Sequence, residues 1–137
     1  MFEFFDHPSD IGVRGIGKSY GEAFSEAAKG MMSIMADLTS FQNEFEISFE
    51  VKGLDKEFLF LNFLNRILFE HSFHKAIWIE IKVEDFSEGH LVVYLKGEKL
   101  KTTHRNGLKT EVKAATPCGL KVYQEGENFI AQCVLDI

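Results

Sequence analysis

The chain has 137 residues, 45% of them hydrophobic, with 14 phenylalanines, two cysteines and a formal net charge of −6. That length fits one small domain over residues 1–137 with a core of its own, and two cysteines are too few for a disulfide framework. The acidic balance argues against broad binding to nucleic acid, which works by neutralising phosphates. No apolar run reaches the roughly 18 residues of a membrane span. Met1-Phe2-Glu3-Phe4-Phe5-Asp6 lacks the positive region and cleavage site of a signal peptide, so a reduced cytoplasmic compartment is expected.

Residues 2–6 and 10–16 read as two short strands, the first aromatic, the second carrying Ile11, Val13 and Ile16 among glycines. Ser19-Tyr20-Gly21-Glu22 fits a capping box, in which the serine caps a backbone N–H and the glutamate reaches back. Ala23, Phe24, Ala27, Ala28, Met31, Met32 and Met35 then form one stripe at helical spacing, ending near Ala36-Asp37. Gly30 inside this helix costs about 1 kcal/mol relative to alanine and could mark close packing on a sheet. Phe45, Ile47, Phe49 and Val51 alternate with polar residues, as in a half-buried strand. Asp55 is placed to cap a second helix over residues 56–72, whose polar stripe (Asn62, Asn65, Arg66, Glu70) is narrow enough to predict that it is largely buried. Residues 77–97 read as a hairpin turning at Ser87-Glu88-Gly89. Residues 111–115 suggest a short strand, and 120–125 with 129–135 a final hairpin. Helices fall early and strands cluster late, which predicts an α+β fold: a largely antiparallel sheet with two helices packed on one face.

The densest polar stretch is Asp6-His7-Pro8-Ser9-Asp10, and the sequence ends Leu135-Asp136-Ile137. If these ends meet, Asp6, Asp10 and Asp136 could supply the several oxygen ligands that hard cations require. The plainer alternative has Asp6 capping a turn and Asp136 solvated. His71 and His74 share a spacing that can present two imidazoles on one helix face, but a helix C-terminus favours histidine through its dipole, and the structural reading is preferred. Cys118 and Cys133 fall at the last hairpin, where a small buried residue is the ordinary explanation; catalytic thiol chemistry would need a nearby base, and the sequence displays none. The segment 98–109 concentrates Lys99, Lys101, Arg105 and Lys109 and could touch RNA phosphates or an acidic protein, or simply be solvated. No P-loop, dinucleotide fingerprint or nucleophile elbow is present.

Three stretches together resemble the archease family: DHPSDIG at residues 6–12, EAFSEAAKGMMSIM at 22–35, and EVKAAT at 111–116 taken with the terminal LDI. The helix around Leu61-Asn62-Phe63-Leu64-Asn65 fits as well, and the matches keep the family's order along the whole chain. The resemblance implies a strand-helix-strand-strand type core with an added segment. It implies an accessory protein, not an enzyme, that activates the GTP-dependent tRNA-splicing RNA ligase by promoting its guanylylation and multiple turnover. RNA would be met only through the ligase, and no membrane is involved. It further implies a divalent metal, calcium with magnesium or manganese as alternatives, held by Asp10, Asp136 and the main-chain or terminal oxygen of Ile137. Lys113 falls on the lysine of a family motif, where a cation could orient a phosphate or a carboxylate of the ligase; Asp6 and His7 would shape the turn or the site's edge. Two departures stand out. Pro8-Ser9 replaces Thr-Ala, and Pro117-Cys118 replaces Tyr-His, an imidazole that a thiol does not replace at neutral pH. The competing reading is a stand-alone metal-dependent phosphoester hydrolase, with His7 as the nearest general base. A third is a chaperone-like or scaffold protein that works through apolar surface, with the carboxylates incidental.

Overall fold

The computed structural model describes residues 1–87 and 89–137. Two strands open it, β1 (Phe2–His7) and β2 (Asp10–Gly17), joined by the two-residue turn Pro8-Ser9. Proline locks its own φ and drives His7 extended, and Ser9 takes the left-handed conformation at φ 66°. Helix α1 (Tyr20–Met35) begins where the capping signal places it, with the Glu22 N–H donating to Ser19 Oγ at 3.1 Å. Its methionine stripe is core: Met31 and Met32 are fully buried. A methyl group on Gly30 would press on Phe2 and Val13, so this glycine does mark close packing of the helix on the first hairpin.

Strand β3 (Phe45–Lys52) leads into α2 (Lys56–His74), capped by Asp55 Oδ1, which accepts the Phe58 N–H at 2.9 Å. The helix buries Leu59, Phe60, Phe63, Leu64 and Ile67 but leaves Phe58, Phe69 and Phe73 exposed. It is thus less enclosed than its narrow polar stripe predicts. Its two histidines serve structure. His71 Nδ1 lies 2.7 Å from the Ala76 carbonyl and His74 Nε2 3.0 Å from Glu70. Strands β4 (Ala76–Ser87) and β5 (His90–Lys99) form the expected hairpin; Glu88 of its turn lies outside the described residues. Trp78, on the nominally polar side of β4, is fully buried beneath Phe45 and His74, whose ring centroids lie 5.3 and 5.8 Å away.

The chain closes with β6 (Ala114–Glu125) and β7 (Asn128–Asp136). Of the short strand expected at 111–115 only Ala114 and Ala115 are strand, the beginning of the longer β6; residues 111–113 precede it. All strand pairs are antiparallel, but they divide into two sheets, of order β1-β2-β7-β6 and β3-β5-β4. The α+β class therefore holds, with the strands shared between two sheets and the helices packed against them. Phe24 of α1 joins the layers: its ring centroid lies 4.9 Å from Phe60 and 5.7 Å from Phe63 of α2, and 5.6 Å from Phe86 of β4.

The basic segment folds back on the protein. Lys101 Nζ reaches Glu98 at 2.9 Å and Glu44 at 3.1 Å, and Lys109 Nζ donates to the Ser33 carbonyl at 2.9 Å. These two cations are spent internally. No helix among the described residues is long and apolar enough to cross a membrane.

Candidate functional site

The polar turn and the end of the sequence meet at one end of the four-stranded sheet. His7 pairs with Asp10 across the first hairpin, Ile11 with Leu135 between β2 and β7, and Ala114 with Asp136 between β6 and β7. One step beyond the Ile11–Leu135 pair, the antiparallel register sets Asp10 beside Asp136. A single cross-strand row then reads His7, Asp10, Asp136, Ala114. Directly opposed residues in antiparallel strands direct their side chains to the same face. Alternation along a strand reverses the face, so Asp6, which opposes Ile11, belongs to the other one. The register therefore separates two aspartates that lie four residues apart, leaving Asp6 outside the row that holds Asp10.

The strand ends that carry Asp136 and Ala114 are held by their neighbours. Ile137 is partly buried and packs against the core, which anchors the chain immediately after the exposed Asp136. The Asp136 carbonyl accepts the Lys113 N–H at 2.8 Å, so Lys113 is held beside the site by its backbone while its side chain is exposed. Asn65 of α2 clasps the start of β6 through both sides of its amide, donating to the Ala115 carbonyl at 3.0 Å and accepting the Ala115 N–H at 2.9 Å. The next row on the same face, Phe5–Gly12–Val134–Thr116, is closed by Phe5, whose ring covers Gly12 so tightly that any Cβ there would collide with it.

One contact at this end of the sheet was not foreseen from sequence. Cys118, expected as a small buried strand residue, is exposed, because the pairing of β6 with β7 is interrupted between Thr116 and Lys121. The intervening residues arch over the sheet and bring Cys118 Sγ to 3.4 Å from His7 Nε2. The imidazole that thiol chemistry would call for is thus present, supplied from 111 positions away. On its other side, His7 Nδ1 lies 3.8 Å from Asp10 Oδ2, too long for a hydrogen bond. This nitrogen is buried and has no hydrogen-bond partner among the described residues. The only hint in the sequence was the strand-interrupting pair Pro117 and Gly119, since proline and glycine inside a strand pattern signal a bulge.

No three His, Cys, Asp or Glu side chains among the described residues gather into a preformed metal cluster. The ligand set expected at this end has only two such side chains, Asp10 and Asp136, and relies on a main-chain or terminal oxygen at Ile137 for the rest. By donor chemistry that set is all oxygen and suits a hard divalent cation that retains water on its open positions.

Residues 2–137 match the Archease protein family (MTH1598/TM1083). The protein archease of Pyrococcus furiosus is 31% identical over 141 residues, covering 100% of this chain and 99% of that protein. That of Sulfolobus acidocaldarius is 31% identical, with 99% and 98% covered. The solution structure of Methanobacterium thermoautotrophicum protein 1598 superposes with a TM-score of 0.83 at 28% identity, over 99% of this chain and 98% of that one. The crystal structure of an archease from Thermotoga maritima, described as a possible chaperone, shares the fold at a TM-score of 0.65 and 24% identity, over 97% and 94% of the two chains. The chain belongs to the archease family.

Proposed function

We propose that this protein is a non-catalytic cytoplasmic partner of a GTP-dependent tRNA-splicing RNA ligase, which it activates by promoting guanylylation and repeated turnover. The observation that carries this reading is the register that sets Asp10 of the opening motif beside Asp136 at one sheet end, in a chain that is archease along its whole length. Asp10, Asp136 and Ile137 would hold a divalent cation, calcium being the best match to an all-oxygen, partly open set, with magnesium or manganese as alternatives. Such a cation supplies positive charge that can position phosphate oxygens, and positioning with electrostatics is most of what nucleotidyl transfer needs from protein.

The chain's own residues do the rest. Ile137 anchors the strand end against the core, keeping Asp136 in register with Asp10. Lys113, tied to Asp136 through its backbone and exposed at its ammonium, is placed to meet a nucleotide phosphate or a ligase carboxylate. Asp6 and His7 border this end, Asp6 on the opposite face. RNA is contacted through the ligase. The test is ligation with a cognate ligase in excess substrate. Addition of the protein should convert a single round into many, and the protein alone should join no RNA; equal multiple-turnover rates with and without it would refute the reading.

One observation favours a second reading. His7 lies beside Asp10, where a general base for metal-dependent phosphoester hydrolysis would sit. Hydrolysis of a panel of phosphoesters by the calcium-, magnesium- or manganese-loaded protein, abolished in Asp10→Asn, would establish it; no turnover on any of them would dismiss it.

A further inference from the structure

The contact between Cys118 and His7 is not used by the all-oxygen cation set, and its geometry is specific. Residues 117–120 are held over the outer face of the sheet at several points. Thr116 Oγ1 donates to the Val134 carbonyl at 2.8 Å and accepts the Cys118 N–H at 3.3 Å. Gln132 Nε2 donates to the Gly119 carbonyl at 3.2 Å, and Gly119 takes a left-handed conformation at φ 64°. Gln132 is itself fixed by Arg14, whose Nε donates to it at 2.8 Å. The thiol is therefore carried by a braced arch, not a free loop.

Sulfur and nitrogen ligands lie about 2.3 Å and 2.0–2.1 Å from a tetrahedral zinc ion, which separates two donors by roughly 3.5 Å. Cys118 Sγ and His7 Nε2 stand 3.4 Å apart. The second nitrogen of the imidazole faces a carboxylate, beyond hydrogen-bond distance. Metal-bound histidines commonly direct their second nitrogen to a carboxylate, which sets the tautomer and the ring orientation. In this molecule His7 Nδ1 is buried without a partner among the described residues and faces Asp10 Oδ2 at 3.8 Å. A proton on Nδ1 directed at Asp10 leaves the Nε2 lone pair facing the sulfur.

We propose that Cys118 and His7 form an open site for a thiolate-preferring divalent ion such as zinc, with Asp10 orienting the imidazole and water filling the remaining positions. Two protein ligands leave the site exchangeable. Its sulfur and nitrogen donors distinguish it from the neighbouring all-oxygen set, since soft and borderline ions select thiolate and imidazole while calcium and magnesium select carboxylate. The two sets share only Asp10, a carboxylate with two oxygens. The site stands on the arch and the dyad, and does not depend on activation of a ligase.

The test is cobalt(II) titration of the reduced, metal-free full-length protein, followed by absorption. Cobalt reports a bound thiolate directly through a sulfur-to-cobalt charge-transfer band in the near ultraviolet. The wild-type protein should develop this band to saturation and lose it on addition of zinc. Cys118→Ser should lose the band altogether. Cys118→His should bind cobalt with ligand-field bands only. Asp10→Asn should weaken cobalt binding by roughly 10–100-fold, the usual effect of removing a carboxylate that supports a metal-bound histidine. Asp136→Asn should leave the band unchanged while abolishing calcium binding, which separates this site from the all-oxygen one. Cys118 is exposed, so its variants should fold, and unchanged melting curves would verify it. The proposal is overturned if the wild type shows no charge-transfer band or if the band survives in Cys118→Ser.

Discussion

Cys118 and Cys133 carry the same side chain into opposite environments. Cys133 lies on β7 facing the core at 0% exposure, and burial pushes its thiol up to about 12. Thiolate is the reactive form, so Cys133 should be inert while the protein is folded. A chromogenic disulfide reagent should titrate a single fast thiol in the native protein and a second only after unfolding; two fast thiols in the native state would contradict this packing. Cys133 was legible in the sequence as a small buried strand residue. Cys118 was not, because an alternating pattern says nothing about an arch that lifts residues out of a strand. The partner of Cys118 was also hidden, since contact with His7 depends on how four strands are ordered, not on spacing along the chain. Asp10 and Asp136 were legible as candidates only by supposing that the two ends converge. Their register, and the separation of Asp6 onto the other face, required the pairing of β2 with β7.

Gly15 shows how closely the elements are fitted. Its position on β2 leaves no room for a side chain, because a Cβ there would fall on the Ala23 carbonyl oxygen and the Ala27 nitrogen of α1. Gly15→Ala should destabilise the protein by about 3 kcal/mol, at the upper end of ordinary overpacking, seen as a lower urea midpoint with an unchanged slope. A midpoint equal to wild type would show that α1 is free to lift from the sheet. The elements themselves were mostly legible, because caps and periodicities are local. Ser19 and Asp55 start the helices where they were expected. The boundary at 111–115 was not, since Lys113 is positioned by its bond to Asp136 and not by its own neighbours.

The segment after β5 is pinned by the buried Glu98, which accepts from Lys101 Nζ at 2.9 Å and the Gln42 N–H at 2.9 Å, with His104 Nε2 at 3.4 Å. The hydrogen bond from Lys101, followed by that from Gln42, holds the carboxyl below the usual carboxylate range. A group lowered in the folded state stabilises it above the unfolded value and loses that contribution as pH falls through the folded one. Urea midpoints should therefore decline in acid. Glu98→Gln should be less stable than wild type at neutral pH and should decline less steeply; parallel acid profiles would contradict the clamp.

At the scale of the whole molecule, the alternating strands declared which faces are buried but not which strands share a sheet. Period-two patterns are satisfied equally by one sheet or two, and register emerges only from pairing. The division into β1-β2-β7-β6 and β3-β5-β4 therefore came from the structure. It brings the first hairpin and the final strand together, and with them Asp10 and Asp136. The net charge of −6 disfavours broad, charge-driven contact with nucleic acid. The most direct measurement of the central claim is the rate of guanylylation of a cognate tRNA-splicing ligase, followed by transfer of label from GTP to the ligase, with wild-type protein, Asp10→Asn, Asp136→Asn or none. Wild type should accelerate label transfer, and each variant should fall to the unassisted rate while remaining folded. Acceleration by both variants equal to wild type would show that this end of the sheet is not where the protein acts.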